Sequence, residues 1–250
     1  MILEVDGMEF GYRSISVLRN IKFSLGRSET LSILGPNGVG KTTLLKCINR
    51  IIHARSGTVM VEDEDVASMS RTEMARKMGY VPQRGEVSRI TVFDAVLLGR
   101  RPYIKWDVTK EDIEIANQAV EELGLSPMSL RYIDEISGGE YQKVQIARAL
   151  VQQPKVLLLD EPTSALDLCN QHVMMKKMVD LVKRNGLTAV MTMHDLNLAL
   201  RYSDRFILLK DGTVYAVGGR EIMTPANIEA VYGLPVLVQS IEGLPVVVPV

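Results

Sequence analysis

"TLSILGPNGVGKTTLLKCINRI", Thr30 to Ile51, decides the class of fold. An apolar run without alternation, Leu31 to Leu34, leads straight into Gly35, Pro36, Asn37, Gly38, Val39, Gly40, Lys41, Thr42 and Thr43. A helix-prone segment then starts at Leu44. The loop fits G-x-x-x-x-G-K-[ST], and strand, glycine loop and helix are the context that pattern requires. The glycines let the backbone wrap closely round an anion with its N–H groups pointing inward, and the helix N-terminus adds its positive end. Lys41 is then placed to meet the β- and γ-phosphates of a nucleotide, and Thr42 to ligate Mg²⁺.

Further along, "VLLLD" (Val156–Asp160) and "AVMTM" (Ala189–Met193) are also apolar without alternation. They read as strands buried on both faces, as in a parallel sheet, so the class is α/β. "RFILLKDGTVYAVG" (Arg205–Gly218) carries Asp211-Gly212 between two β-prone runs, a hairpin signal. "SGTVMVEDEDV" (Ser56–Val66) carries a similar but weaker signal, and the closing "GLPVLVQSIEGLPVVVPV" (Gly233–Val250) reads as a short hairpin. Residues from about 84 to 153 read as mostly helical. There Thr109 and Asp112 stand at capping-box spacing, Ile113, Ala116, Val120 and Leu123 fall on one helical face, and Gly124 marks the C-terminal cap.

The strand "VLLLDEP" ends in Asp160 and Glu161, where ligands of open α/β sheets bind. Asp160 suits the Mg²⁺ shell, directly or through water. A second carboxylate is useful if a water must be deprotonated, which makes Glu161 a candidate general base; a plain polar strand end before Pro162 is the alternative. A second candidate anion site, "SGG" at Ser137-Gly138-Gly139, precedes another helix-like run. Local physics does not say whose phosphate it would hold.

The formal net charge of −1 offers no basic balance for a polynucleotide partner. Cys47 and Cys169 match neither zinc nor disulfide spacing and read as small hydrophobes. Glu4 and Asp6 stand where a secretory signal needs basic residues. No apolar segment approaches the roughly 20 residues of a membrane span. Work at a membrane would therefore need a partner.

Taken together and in order, these residues resemble the nucleotide-binding subunits of ATP-binding cassette transporters over nearly the whole chain. "GPNGVGKTT" is similar to the Walker A loop, "VLLLDEP" to Walker B, "ISGGE" (Ile136–Glu140) to the signature and "SALD" (Ser164–Asp167) to the D-loop. "YVPQ" places Gln83 at the Q-loop glutamine, "TMHD" places His194 at the switch histidine, and "EFGY" places Tyr12 where the family stacks an aromatic ring on adenine. Two positions depart: Ile136 stands where Leu is usual and Lys143 where Arg is commoner, neither removing a catalytic group.

The resemblance implies a P-loop NTPase (RecA-like) core, residues 1–83 and 154–225, with a small antiparallel β part. A helical subdomain, 84–153, is inserted in it, and a short tail spans 226–250. It implies that ATP and Mg²⁺ are bound, with Gln83 joining Thr42 and Asp160 near the metal and His194 holding the water and Glu161. Ser137, Gly138, Gly139, Glu140 and Asp167 would serve the ATP of a second copy, in a head-to-tail homodimer.

"TVFDAVLLGRRPYIKW" (Thr91–Trp106) resembles, more softly, importers of metal chelates such as iron-siderophores, haem and cobalamin. Membrane permease subunits would dock near residues 83–106, a substrate-binding protein would act indirectly, and the chain would sit on the cytoplasmic face of the membrane. Arg84, Arg89, Arg100, Arg101 and Lys105 make that segment basic, which a solvated face explains equally well. A soluble cassette ATPase acting on DNA or ribosomes is the competing class; the long coiled-coil insertion, zinc cysteines or second cassette usual there are missing from the sequence. A P-loop kinase or GTPase would leave Gln83, the SGG and His194 unexplained together.

Overall fold

The computed structural model describes residues 1–250 except Ser14, Arg84, Glu86, Val87, Ser88 and Ala165. The chain begins with β1 (Leu3–Tyr12), β2 (Ile15–Leu25) and β3 (Thr30–Leu34), then the glycine loop and α1 (Lys41–Ile48). Next come β4 (Ser56–Val61), β5 (Glu64–Asp65), α2 (Arg71–Lys77) and β6 (Met78–Val81). Helices α3 (Val92–Leu97), α4 (Lys110–Glu122) and α5 (Gly138–Leu150) occupy the middle. Strands resume as β7 (Val156–Asp160), α6 (Leu168–Arg184), β8 (Thr188–Thr192), α7 (Leu196–Tyr202), β9 (Arg205–Lys210) and β10 (Thr213–Gly218). α8 (Pro225–Tyr232), β11 (Val236–Ile241) and β12 (Leu244–Pro249) close the chain.

The main sheet has the order β10-β9-β3-β8-β7-β6. All its pairings are parallel except the β9–β10 edge hairpin. β3, β7 and β8 are buried along their whole length, which is what their unbroken apolar runs require. Side chains alternate between two cores. Leu158 and Val190 face α1 and the antiparallel sheet β2-β1-β4-β5, where Leu18, Ile21, Leu44 and Leu45 meet them. Leu157, Leu159 and Met191 face the other way, onto Met174, Met178 and Leu181 of α6 and a cluster that continues through Val92, Val120 and Val144. Each such side chain removed from water contributes about 1.5–3 kcal/mol.

All three expected hairpins form, at Asp211-Gly212 (φ 48° and 74°), Glu62-Asp63 (52° and 61°) and Glu242-Gly243 (52° and 78°). Two successive left-handed residues match the right-handed twist of the flanking strands. Gly212 is required twice over, because a Cβ there would lie 2.2 Å from the Val17 carbonyl oxygen. Arg19 N–H donates to Gly212 O at 2.8 Å and pins the turn on β2.

The middle third is helical, and the Thr109–Asp112 capping box opens α4 while Gly124, at φ 69°, stands just past its end. The buried face is shifted from the expected one. Ile113 is exposed, and Asp112 turns inward with Ala116, Ala119, Val120 and Leu123. Asp112 can do so because Arg100 meets it at 2.8 Å. Arg100 is accordingly buried and leaves the basic face, while Arg89 lies over the Tyr132 ring and Arg84 falls outside the described residues. Cys47 is buried, its thiol pushed up to about 12 by desolvation, whereas Cys169 is exposed and so is not a core hydrophobe. Among the described residues no helix is long and apolar enough to cross a membrane.

Candidate functional site

The carboxyl ends of β3, β7 and β8 lie along one edge of the sheet, so the segments leaving these strands converge there. After β3 comes the glycine loop. Gly35 has φ +152°, and a Cβ on it would sit 2.5 Å from Leu209 O; Gly40, at φ +109°, would drive a Cβ to 2.9 Å from Leu18 Cδ2. At Gly38 a Cβ would meet nothing within 4 Å, so its positive φ (+79°) is the constraint there. Gly40 is also the N-cap of α1 and brings no capping side chain. The first-turn N–H groups are thus left to the cleft that Lys41, Thr42 and Thr43 line.

Lys41 folds back over the loop, its ammonium donating to Gly35 O at 2.7 Å and Pro36 O at 3.1 Å. Burial lowers its pKa, and the nearby Glu161 and Asp160 charges oppose that without cancelling it. Thr42 Oγ1 donates to Asp160 Oδ1 at 2.9 Å. Thr192 Oγ1, at the end of β8, donates to the same oxygen at 2.7 Å and accepts from Glu161 N–H at 2.9 Å. Glu161 stands at φ 50°, an uncommon conformation for a residue with a Cβ. Such a residue costs about 1–3 kcal/mol and persists where its surroundings hold it. Here the surroundings are Thr192 on its N–H, Gln83 Nε2 donating to Oε2, and His194 Nε2 against Oε1.

Asn37, Gly38, Gly40, Lys41, Thr42, Thr43, Gln83, Glu161 and His194 line one cleft of about 430 Å³, with Asp160 directly beneath Thr42. Tyr12 stands outside that lining, exposed at the end of β1 and edge-on to Phe10 at 4.8 Å. Ser137 to Glu140 lie elsewhere. Ser137 caps α5: its hydroxyl accepts from Glu140 N–H at 3.3 Å, and its N–H and hydroxyl donate to Glu140 Oε2, each at 2.8 Å. Those bonds, the backbone one first, hold the Glu140 carboxyl below its ordinary range. A second pocket, about 230 Å³, is lined by Ser137, Gly139, Glu140, Lys143, Leu166 and Asn170 among others, and among the described residues it shares none with the first cleft. Asp167 borders it by capping α6 through Asn170 N–H and Nδ2, both at 2.8 Å.

A further groove, about 510 Å³, opens between the end of β6, α3 and α5, with Pro82, Ile90, Ala95, Leu98, Tyr141 and Gln145 in its walls. Thr192 is the site residue that motif reading misses. Its signal was a hydroxyl within the apolar run Ala189–Met193, which burial makes costly unless it is bonded.

The ABC transporter family model matches residues 18–164. An ABC transporter ATP-binding protein of Methanocaldococcus jannaschii is 56% identical over 250 residues, covering 100% of this chain and 98% of that protein. The ferric enterobactin transport ATP-binding protein of Escherichia coli is 33% identical over 255 residues, covering 99% and 93%. Among solved structures, a metal-chelate type ABC transporter in an inward-facing conformation superposes with TM-score 0.86 at 30% identity, covering 100% of this chain and 97% of the other. A dimeric ATP-binding cassette holding ADP and Pi gives TM-score 0.78 at 28% identity, covering 87% and 98%.

Proposed function

The chain belongs to the ABC transporter family as an ATP-binding ATPase subunit, and on that premise we propose that it drives import of a metal chelate through membrane permease subunits. The observation that carries the mechanism is the convergence of Lys41, Thr42, Gln83, Asp160, Glu161 and His194 on one cleft. Gly35 to Thr43 cradle the phosphates with backbone N–H groups, Lys41 turns from the loop carbonyls to the β- and γ-phosphates, and Tyr12 stacks on adenine.

Thr42 and Asp160, 2.9 Å apart, and Gln83, which lines the same cleft as Thr42, offer hard oxygen donors of the kind Mg²⁺ takes alongside phosphate oxygens. Mg²⁺ held there would neutralise charge on the phosphates. Glu161 accepts the proton of the attacking water. His194 and Gln83 hold the Glu161 carboxylate between them, and His194 also contacts the γ-phosphate.

Ser137, Gly139 and Glu140, which line a pocket apart from the cleft, together with Gly138 and Asp167 beside it, complete the ATP site of a second copy in a head-to-tail dimer. The groove beside Pro82, Ile90 and Leu98 receives the permease, within residues 83–106. We assign residues 1–83 and 154–225 to the nucleotide-binding core, 84–153 to the helical subdomain and 226–250 to the tail of one domain. The subunit lies on the cytoplasmic face of the membrane, its cargo delivered to the permease by a binding protein.

Support for a metal chelate comes from the relatives, one named for ferric enterobactin transport and one solved structure described as of metal-chelate type. Uptake into vesicles holding the reconstituted permease complex tests it, with ferric siderophores, haem and cobalamin offered in turn. ATP-dependent uptake of one of them is expected. Uptake of none, in a complex whose ATPase another solute stimulates, overturns the cargo assignment and leaves the ATPase assignment standing.

A further inference from the structure

His194 is followed at once by Asp195, the N-cap of α7, which accepts from Asn197 N–H at 2.8 Å and Leu198 N–H at 2.9 Å. Asn197 is therefore in the first turn of the helix that begins beside the switch histidine. Its side chain is turned to the C-terminal hairpin. Nδ2 donates to Val247 O at 3.2 Å, and Oδ1 accepts from Val247 N–H at 2.7 Å. One side-chain amide thus makes both bonds that a neighbouring strand would make.

The hairpin is built to offer those two groups at one place. Gln239 pairs with Val246 and Val238 with Val247, and Val250 N–H donates inward to Pro235 O at 3.1 Å. The alternation of antiparallel pairing then turns the odd-numbered positions of β12 outward. Two of these are Pro245 and Pro249, which have no N–H, so Val247 is the outward N–H donor between them. Val247 is also 6% exposed, packed in the core with Val236. The same C-terminal segment reaches the phosphate loop. The Tyr232 hydroxyl, at the end of α8, is buried beside Gly35 N–H, short of hydrogen-bonding geometry. The tail therefore borders the two elements that must be held relative to each other, the loop that begins at Gly35 and the turn that carries His194.

We propose that Asn197 is a positioning residue, which through Val247 ties the C-terminal hairpin to the start of α7 and so sets His194 against Glu161. The proposal rests on the roles assigned above to His194 and Glu161. It gives the hairpin, which lies beyond the matched residues 18–164, a part in turnover. Misplacing a catalytic group by about 1 Å can cost up to ~100-fold in rate.

The test compares Asn197→Leu and Val247→Pro with the unaltered full chain. Val247→Pro removes the shorter of the two bonds, that from Val247 N–H, and continues the proline pattern of β12, so it spares the hairpin ladder. Steady-state ATPase is measured per nucleotide-binding site, with sites titrated by a non-hydrolysable ATP analogue, so that misfolded protein drops out of the comparison. Both variants are expected to lose roughly 10-fold or more in kcat with KM for ATP unchanged. Unchanged kcat per site in both, while His194→Ala abolishes turnover, overturns the tether alone. Normal turnover in His194→Ala overturns the site reading together with the inference built on it.

Discussion

Arg100 Nε donates to Asp112 Oδ1 at 2.8 Å, with both side chains only 5% exposed. The same guanidinium donates to Val151 O at 2.8 Å and Gln153 Oε1 at 3.0 Å, and it lies 4.0 Å from the centre of the Tyr103 ring. One side chain thus joins the segment after α3 to the start of α4 and the end of α5. The preceding Gly99 allows the approach, since a Cβ there would fall 2.1 Å from Arg148 O. The "GR" of residues 99–100 is therefore an internal strut behind the groove proposed for the permease, and its arginine is not a surface contact.

Breaking such a pair by removing one partner leaves a buried charge and costs about 3–5 kcal/mol. Arg100→Met is expected to lose that much in urea denaturation, and Arg100→Met with Asp112→Asn to recover part of it. Burial by itself would raise the Asp112 carboxyl; the bonds from Thr109 and Arg100 outweigh it and leave the pKa lowered. A depressed carboxylate contributes stability above its unfolded pKa and loses it as pH falls through the folded value. The gap between wild type and Arg100→Met should therefore be full at pH 7 and narrow below about pH 4. A gap that stays constant down to pH 2 would mean the pair contributes nothing through charge.

Glu161→Gln keeps the size and the hydrogen-bonding reach of the side chain but cannot take a proton. ATP binding is expected to persist while hydrolysis falls by at least ~100-fold, the lower range of general-base effects. Equilibrium binding of labelled ATP and phosphate release, measured on one preparation, separate the two. Normal phosphate release would remove Glu161 as the base.

The motif residues of the cleft were legible in the sequence, because strand ends and glycine loops are local features. Leu31–Leu34, Val156–Asp160 and Ala189–Met193 announced buried parallel strands, and a parallel sheet brings their carboxyl ends together. What was not legible depends on partners remote in sequence. Thr192 meets Asp160 across 32 positions and Arg100 meets Val151 across 51, so neither pairing leaves a local pattern. Ile113 misled for the same reason: on hydropathy it belonged to the buried face of α4, but Arg100 supplied the charge that let Asp112 take the inward place.

Ser137→Arg puts a bulky cation at the N-terminus of α5, in the pocket proposed to close over a partner's ATP. Ser137 is not among the residues that line the phosphate-loop cleft. Nucleotide affinity of the isolated subunit is expected to stay within about twofold, while the ATP-dependent dimer of a Glu161→Gln background disappears in sedimentation. An equal loss of nucleotide binding would place Ser137 in its own chain's site.

Thr192→Val tests the residue that the motifs overlooked. The two side chains are close in shape, but the valine neither donates to Asp160 Oδ1 nor accepts from Glu161 N–H. Leaving a fully buried N–H unpaired costs about 1–3 kcal/mol, an upper bound for the partly buried Glu161 N–H, and Glu161 already sits at an uncommon φ of 50° that this bond helps to hold. Asp160 keeps its bond from Thr42, so ATP binding should change little. The expected result is a lower melting temperature with kcat reduced by about 10-fold or more, because the same bond that stabilises the strand end also aims the proposed base. Thr192→Ser, which restores the hydroxyl without the methyl group, should recover most of the rate. Full activity in Thr192→Val would show that the convergence of Gln83 and His194 on the carboxylate is sufficient by itself to hold Glu161 in place.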